Sequence, residues 1–422
     1  MILLLFVSLI AFFALAVPIA VSLGLSASVV IWWGDITSLK LVVQQTFNSI
    51  NSFPLMAIPF FILSGYLMQH GGISKRLIDF AGNIVGHITG GLAMVAIVTS
   101  MFFAAISGSG AATTAAIGSI LIPAMIAHGY SDSYASANQS VSGALGIIIP
   151  PSIPLILYGI AAKQSVGDMF LAGILPGVFV TMTLLLAAYF VAKKRGYMGV
   201  EKSSLNETFL SFKRAILSIM MPVIVLGGIY GGVFTPTEAA VIAVAYSFIV
   251  GFIIYREIKI KDLANIFRQS AVTTSIVLII IGTAGLFGFL LNRLNVPTLI
   301  SQAFLSVTTN TIIFIILVNL LLLVVGMFIE AAAAILIFVP ILLPIAIQLG
   351  MDPVHFGIIM VVNLAIGMIT PPVGINLFVA SQISKIKINV LSKAIIPFVL
   401  ILFADVLILS VFPFLSTWLP SI

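Results

Sequence analysis

The chain has 422 residues, 61% of them hydrophobic and 7% charged, with a formal net charge of +6. Its 18 Lys and Arg and 12 Asp and Glu are too few to cover a water-soluble surface of this size. That excludes a soluble enzyme and an intrinsically disordered chain.

Long, largely apolar runs such as 311–327 and 395–409 lack the alternation of a membrane β-barrel. They read as transmembrane helices, each needing about 20 residues. There is no cysteine, hence no disulfide, thiolate metal site or thiol nucleophile. The positive charge reads as a topology signal and calls for no nucleic acid.

Residues 1–5 lack the positive start and small-residue cleavage site of a signal peptide, so they read as the start of a first helix. Segment 1–34 is too long for one span at about 1.5 Å per residue. It divides near Val17 and Pro18 and leaves an external N-terminus. Residues 35–40 are then external, and Lys75 with Arg76 cytoplasmic. Gly82, Gly86 and Gly90, four apart, suggest a packed helix face. Segment 89–127 is interrupted at Ser107, Gly108, Ser109 and Gly110, and reads as a re-entrant hairpin. A crossing helix at 134–162 is broken at Pro150 and Pro151. Residues 168–192 cross next, ending on the basic cluster of Lys193, Lys194, Arg195, Lys202, Lys213 and Arg214. Helices at 214–234 and 236–255 follow. Thr235, Pro236, Thr237 and Glu238 form a capping box at the start of the second. Arg256, Lys259, Lys261 and Arg268 mark another cytoplasmic end. A second hairpin spans 310–348, interrupted at Phe328, Ile329, Glu330 and Ala331. A second broken helix spans 355–383, with Pro371 and Pro372. Lys385, Lys387 and Lys393 precede a last crossing at 393–415.

The halves repeat at a constant offset of 221 residues, as Ile120 onto Ile341. Pro123, Gly129, Gly146, Pro150 and Pro151 fall on Pro344, Gly350, Gly367, Pro371 and Pro372. Paired glycines and a double proline without a gap are costly coincidences, unlike Leu or Ile matches. The charge clusters put the two hairpins on opposite sides, so the repeats are inverted, as in secondary transporters. The count is ten crossings and two hairpins.

A proline returns no N–H to the carbonyl four residues earlier. Pro150 and Pro151 free the carbonyls of Gly146 and Ile147; Pro371 and Pro372 free those of Gly367 and Met368. Such backbone at membrane depth belongs inside protein or beside a wet cavity. Freed carbonyls suit a hard cation such as Na⁺, and nearby helix N-termini suit an anion; a packing kink is the alternative reading. The hydroxyl-rich run from Ser107 to Thr114 can ligate a cation or substrate oxygen, or let helices approach closely. Glu330, at the second hairpin's turn, is a functional candidate or a helix N-cap. Asn376, a turn past the second break, reaches substrate, ion or a neighbouring helix. Asp405 has no assignment. His70, His87, His128 and His355 lack metal-ligand spacing. No nucleophile–base pair and no phosphate loop is present.

These segments resemble the large membrane subunit of tripartite ATP-independent periplasmic (TRAP) transporters, over essentially the whole chain. The resemblance rests on SGSGAATTAAIGSILIPAM at 107–125, GIIIPPSIPLILY at 146–158, GVFTPTEAA at 232–240, GMFIEAAAAILIFVPILLP at 326–344 and ITPPVGINLFV at 369–379. It implies an all-α polytopic fold of the elevator type and Na⁺-coupled import of an organic anion, such as a C4-dicarboxylate or sialic acid, across the bacterial inner membrane. It also implies two partners, a separate small four-helix membrane subunit and a periplasmic solute-binding protein, with no cofactor beyond the coupling ion. Ala331 and Ala332 depart from the Pro-Thr that many members carry, which weighs against hydroxyl ligation by the second hairpin.

On this reading the ion is assigned to Ser107, Gly108, Ser109, Gly146, Ile147, Pro150, Glu330, Gly367, Met368 and Thr370. The substrate is assigned to Ser109, Gly110, Thr113, Pro151, Pro372, Gly374 and Asn376. The expected units are 1–88 (scaffold), 89–162 (first hairpin and broken helix), 163–309 (scaffold), 310–383 (second hairpin and broken helix) and 384–422 (scaffold). Two other classes compete. One is a self-sufficient dicarboxylate symporter or ion antiporter of similar design. The other is an intramembrane enzyme, for which Asp405 and Glu330 lie too far apart in the repeat scheme.

Overall fold

In a computed structural model the chain is described over residues 1–307 and 309–422, and it is helical, with no strand among the described residues. In chain order the helices are α1 (Ile2–Ala14), α2 (Ile19–Trp33), α3 (Lys40–Ile50), α4 (Ala57–His70), α5 (Ile73–Val85), α6 (Gly91–Ser107), α7 (Gly110–Ala127), α8 (Asp132–Ile148), α9 (Ile153–Ala161) and α10 (Val166–Arg195). Then come α11 (Leu205–Tyr230), α12 (Pro236–Phe248), α13 (Ile260–Arg293), α14 (Val296–Val307), α15 (Thr311–Phe328), α16 (Ala331–Gln348), α17 (Pro353–Gly367), α18 (Ile375–Ser384), α19 (Ile388–Val411) and α20 (Phe414–Thr417).

Local chemistry sets the ends. Pro18 starts α2 after the break expected near Val17. Thr235 and Glu238 form the expected capping box: the Thr235 N–H donates to the Glu238 carboxylate (2.8 Å), and the Glu238 N–H to Thr235 Oγ1 (3.3 Å). A second box, Ser204 with Glu207, starts α11 nine residues before the expected boundary at 214. The polar first turn there hid the helix from an apolar-run reading. Gly82, Gly86 and Gly90 do not form a packed helix face. α5 ends at Val85, Gly86 is its C-cap, and Gly90 is the N-cap of α6 with φ +77°. Only a residue without a Cβ enters that left-handed region freely.

Element boundaries recur at the sequence offset. α6 and α7 meet at Gly108 and Ser109; α15 and α16 meet at Ile329 and Glu330. α8 and α9 are bent by 40° across Ile149–Ser152. α17 and α18 are separated by 368–374. Both double prolines carry a cis bond. Among the described residues nine helices are long and apolar enough to cross a membrane, or ten if the bent pair is one span. The set includes α7, α15 and α16, which the sequence reading assigned to hairpins. α1 and α2 are shorter than that, at 13 and 15 residues.

Packing divides the helices into two groups. α6–α9 and α15–α18 pack among themselves, and α10 and α19 pack on them, against α6, α8, α9, α17 and α18. α1–α5 and α11–α14 form a second set, with α13 lying against α2, α3 and α4. The sets meet where α4, α5 and α11 touch α6, where α11 touches α10, and where α13 and α14 touch α16.

Candidate functional site

The α6–α7 and α15–α16 turns and the α8–α9 and α17–α18 breaks reach one place. A cavity of about 340 Å³ is lined there by Ser107, Gly108, Ser109 and Gly110 of the first turn and by Glu330, Ala331 and Ala332 of the second. Ile147, Ile153 and Pro154 come from the first break, Met368 and Ile375 from the other. The far wall is α4 with Gly65, Tyr66 and Gln69, and α13 with Thr273, Ile276 and Val277.

Four helices begin on this cavity. Gly110 opens α7, Ile153 opens α9, Ala331 opens α16 and Ile375 opens α18. Each N-terminus carries the positive end of a helix dipole, but in α9 the first-turn N–H groups are taken, Ile153's by Gly108 O and Leu155's by Ser152 Oγ, and Pro154 has none. Glu330 is the single acidic or basic residue on the wall. Positive potential on this wall comes from backbone alone, without a lysine or arginine, and it is opposed by the carboxylate of Glu330.

Hydrogen bonds tie each turn to its broken helix. The Ile153 N–H donates to Gly108 O (3.3 Å), and the Gly374 N–H to Met327 O (3.2 Å). Behind the first turn oxygens gather. Ser107 Oγ and Thr113 Oγ1 lie 2.7 Å apart, and Thr113 Oγ1 donates to Ser109 O (2.9 Å). Gly146 lies so close that a Cβ there would be 2.7 Å from Thr113 Oγ1. Behind the second turn a Cβ on Gly326 would be 2.9 Å from Gly367 Cα.

The assigned residues thus separate. Ser107, Gly108, Ser109, Gly110, Ile147, Glu330 and Met368 line the cavity. Gly146, Pro150, Pro151, Thr113, Gly367, Thr370, Pro372, Gly374 and Asn376 sit off its wall. Asn376 is fully buried, and its Nδ2 donates to Ser140 O (3.3 Å). Thr370 Oγ1 donates to its own helix at Ile366 O (2.6 Å). The freed carbonyls are less free than the prolines alone suggest. Ile147 O accepts from Ser152 Oγ (2.8 Å), Met368 O from the Asn376 N–H (3.0 Å) and Gly367 O from the Thr370 N–H (3.0 Å). Each keeps its second lone pair. Glu330 occupies the N-cap position of α16 yet makes no side-chain capping bond there.

Tyr66, Gln69 and Thr273 were not anticipated. Tyr66 Oη and Thr273 Oγ1 lie 2.9 Å apart across α4 and α13. Tyr66 and Gln69 stand three apart, on one helical face, which is the signal that was available. Asp405 also finds its partner: Thr183 Oγ1 of α10 donates to Asp405 Oδ2 of α19 (2.6 Å).

A helical membrane protein with several helices starting around one lysine-free cavity has the architecture of a transport protein. Residues 6–415 match the family model of the DctM component of the tripartite ATP-independent periplasmic transporter, and the chain belongs to that family. It is 39% identical to the C4-dicarboxylate TRAP transporter large permease protein DctM of Rhodobacter capsulatus, over 100% of this chain and 99% of that one. It is 38% identical to the sialic acid large permease protein SiaM of Vibrio cholerae, over 96% and 95%. It is 46% identical to the isethionate permease protein DctMQ of Oleidesulfovibrio alaskensis, over 95% of this chain and 64% of that longer one. These relatives are transporter permeases and not enzymes. In fold the chain is similar to the crystal structure of the Alcanivorax borkumensis YdaH transporter, with a TM-score of 0.63, 16% identity and 88% of each chain covered.

Proposed function

We propose that this chain is the large permease of a Na⁺-coupled importer of an organic anion in the bacterial inner membrane. A small membrane subunit and a periplasmic binding protein complete it. The observation that carries the reading is the convergence of four helix N-termini on a cavity with no basic side chain. Such a wall favours a carboxylate or sulfonate, and the relatives named for C4-dicarboxylates, sialic acid and isethionate all handle anions. The cations supply the remaining positive charge. The first is held by the oxygens of Ser107, Ser109, Thr113 and Gly146, the second by backbone at Gly367, Met368 and Thr370 beside Glu330.

The two hairpin and broken-helix units are inverted repeats that move together, elevator-fashion. We include α10 and α19 in the moving block, against the sequence-based expectation, because they pack on the broken helices and are joined by Thr183 and Asp405. α1–α5 and α11–α14 remain as scaffold. A cation separated from its ligands at membrane depth costs several kcal/mol per unsatisfied group, so the ligand-bearing elements travel as one.

The test is uptake into proteoliposomes containing the complete complex, against a panel of small dicarboxylates, sulfonates, sialic acid and their neutral amides. An anion from the panel should be taken up and its amide should not. Uptake of amide and acid at the same rate would overturn the anion assignment.

A further inference from the structure

The polar groups on the cavity wall fall into two sets. Ser107, Ser109 and Glu330 stand at the α6–α7 and α15–α16 turns, among the helix N-termini. Tyr66 and Gln69 of α4 and Thr273 of α13 stand on the scaffold side. The rest of the wall is glycine or apolar. The anion and cations of the proposed function engage the first set and leave the second without a role.

The second set is uncharged and has bonding capacity to spare. Tyr66 Oη and Thr273 Oγ1 lie 2.9 Å apart, so one hydroxyl donates to the other, and the accepting one keeps its own hydrogen. Among the described residues that hydrogen has no protein partner, and neither has the Gln69 side-chain amide. That amide offers two N–H donors and an acceptor oxygen. The wall can therefore both donate to and accept from one ligand group.

Spacing along α4 limits the ligand's length. The helix meets the α6–α7 turn at Gly65, where a Cβ would stand 3.5 Å from Ser107 Cα. Gln69 is one turn further, about 6 Å along the helix axis. A short alkyl stem covers that distance and suits the apolar wall between the two polar sets.

Charge limits the ligand's ends. With two cations bound, one positive charge offsets Glu330 and one remains for the substrate. A second anionic group would be uncompensated at membrane depth, and it would face Tyr66, Gln69 and Thr273, none of which carries charge. A hydroxyl there donates and accepts without that cost.

We propose that the cavity takes a small organic monoanion with a hydroxyl at its other end. Its charged group sits at the α6–α7 and α15–α16 turns, and its hydroxyl is held by Gln69 and the Tyr66–Thr273 pair. The inference rests on the Na⁺-coupled anion reading above and narrows its substrate class.

The test measures ligand binding to the purified membrane complex in sodium, from the rise in melting temperature with ligand concentration. The periplasmic binding protein is left out, since its own selectivity would mask that of the cavity. Two series of ligands share an ethylene stem and differ at the far end. In the sulfonate series, 2-hydroxyethanesulfonate, propane-1-sulfonate and 3-sulfopropanoate end in a hydroxyl, a methyl and a carboxylate. In the carboxylate series, 3-hydroxypropanoate, butanoate and succinate do the same. In at least one series the hydroxyl compound should bind roughly tenfold more tightly than the methyl compound, the size of one hydrogen bond, and more tightly than the dianion. Gln69→Leu should close the gap between hydroxyl and methyl by weakening the hydroxyl compound alone. Thr273→Val should narrow the same gap, and serves where Gln69→Leu does not fold. A methyl compound or a dianion that binds as tightly as the hydroxyl compound in both series overturns the inference. A gap that survives in both variants, or no stabilisation by any compound, overturns it too. Equal stabilisation by 3-hydroxypropanoate and its amide overturns the anion reading itself. Equal binding in potassium and in sodium overturns the coupling reading, and in either case the inference falls with it.

Discussion

Ser109 and Glu330 stand at equivalent positions 221 residues apart, each as the N-cap of a helix that opens on the cavity. Ser109 Oγ accepts from the Ala112 N–H at 3.4 Å, a long bond that leaves it room to turn toward an ion. Glu330 makes no capping bond at all. Glu238, by contrast, is engaged in a capping box and does not line the cavity. The account therefore expects Ser109→Ala and Glu330→Ala to reduce uptake severely at equal membrane abundance. Glu238→Ala should chiefly lower thermal stability. A folded Glu238→Ala protein that cannot transport, beside an active Glu330→Ala protein, would reverse these roles. Asp405 is a structural tie on this view. Asp405→Asn should keep the bond from Thr183 and retain transport. Thr183→Val should cost about 0.6 kcal/mol of stability, the average for an interhelical bond in a membrane protein. A thermal melt of each purified variant checks both.

Among elements, the turns and breaks were the legible part. Glycine and proline act on the backbone directly, so Gly108, Pro150 and Pro371 announce their breaks without knowledge of the neighbours. The identity of the cavity wall was not legible in that way. Which face of α4 meets the hairpin turn depends on packing, and Tyr66 and Gln69 sit in a helix apolar enough to present any face. The packing partners of α10 and α19 were illegible for a related reason: helices apolar all round carry no stripe that names their partners. Gly86 and Gly90 fit a packing pattern by spacing, yet serve a turn. The close approach of α15 to α17 at Gly326 and Gly367 carries its own prediction. Gly326→Ala should destabilise by about 1–3 kcal/mol, as overpacking does, and lower the melting temperature. An unchanged melt would show that the two backbones have room to separate.

For the whole molecule, the division into block and scaffold predicts a pattern of crosslinks. Cysteines can be placed freely, since the chain has none. Ile276→Cys on α13 with Ala331→Cys on α16 joins scaffold to block across the cavity, and a short bifunctional reagent there should arrest import. Thr183→Cys with Asp405→Cys joins α10 to α19 inside the block and should be tolerated. Arrest by the second pair with tolerance of the first would contradict the grouping drawn from the packing.

The central claim is that cation binding at the hairpin turns lets a lysine-free cavity carry an anion across the membrane. Initial uptake of the anionic substrate by the complete complex in proteoliposomes, with and without an inward sodium gradient and in the absence of ATP, tests it most directly. The account predicts concentrative uptake with the gradient and none without it. Uptake of the same rate and extent under both conditions would contradict it.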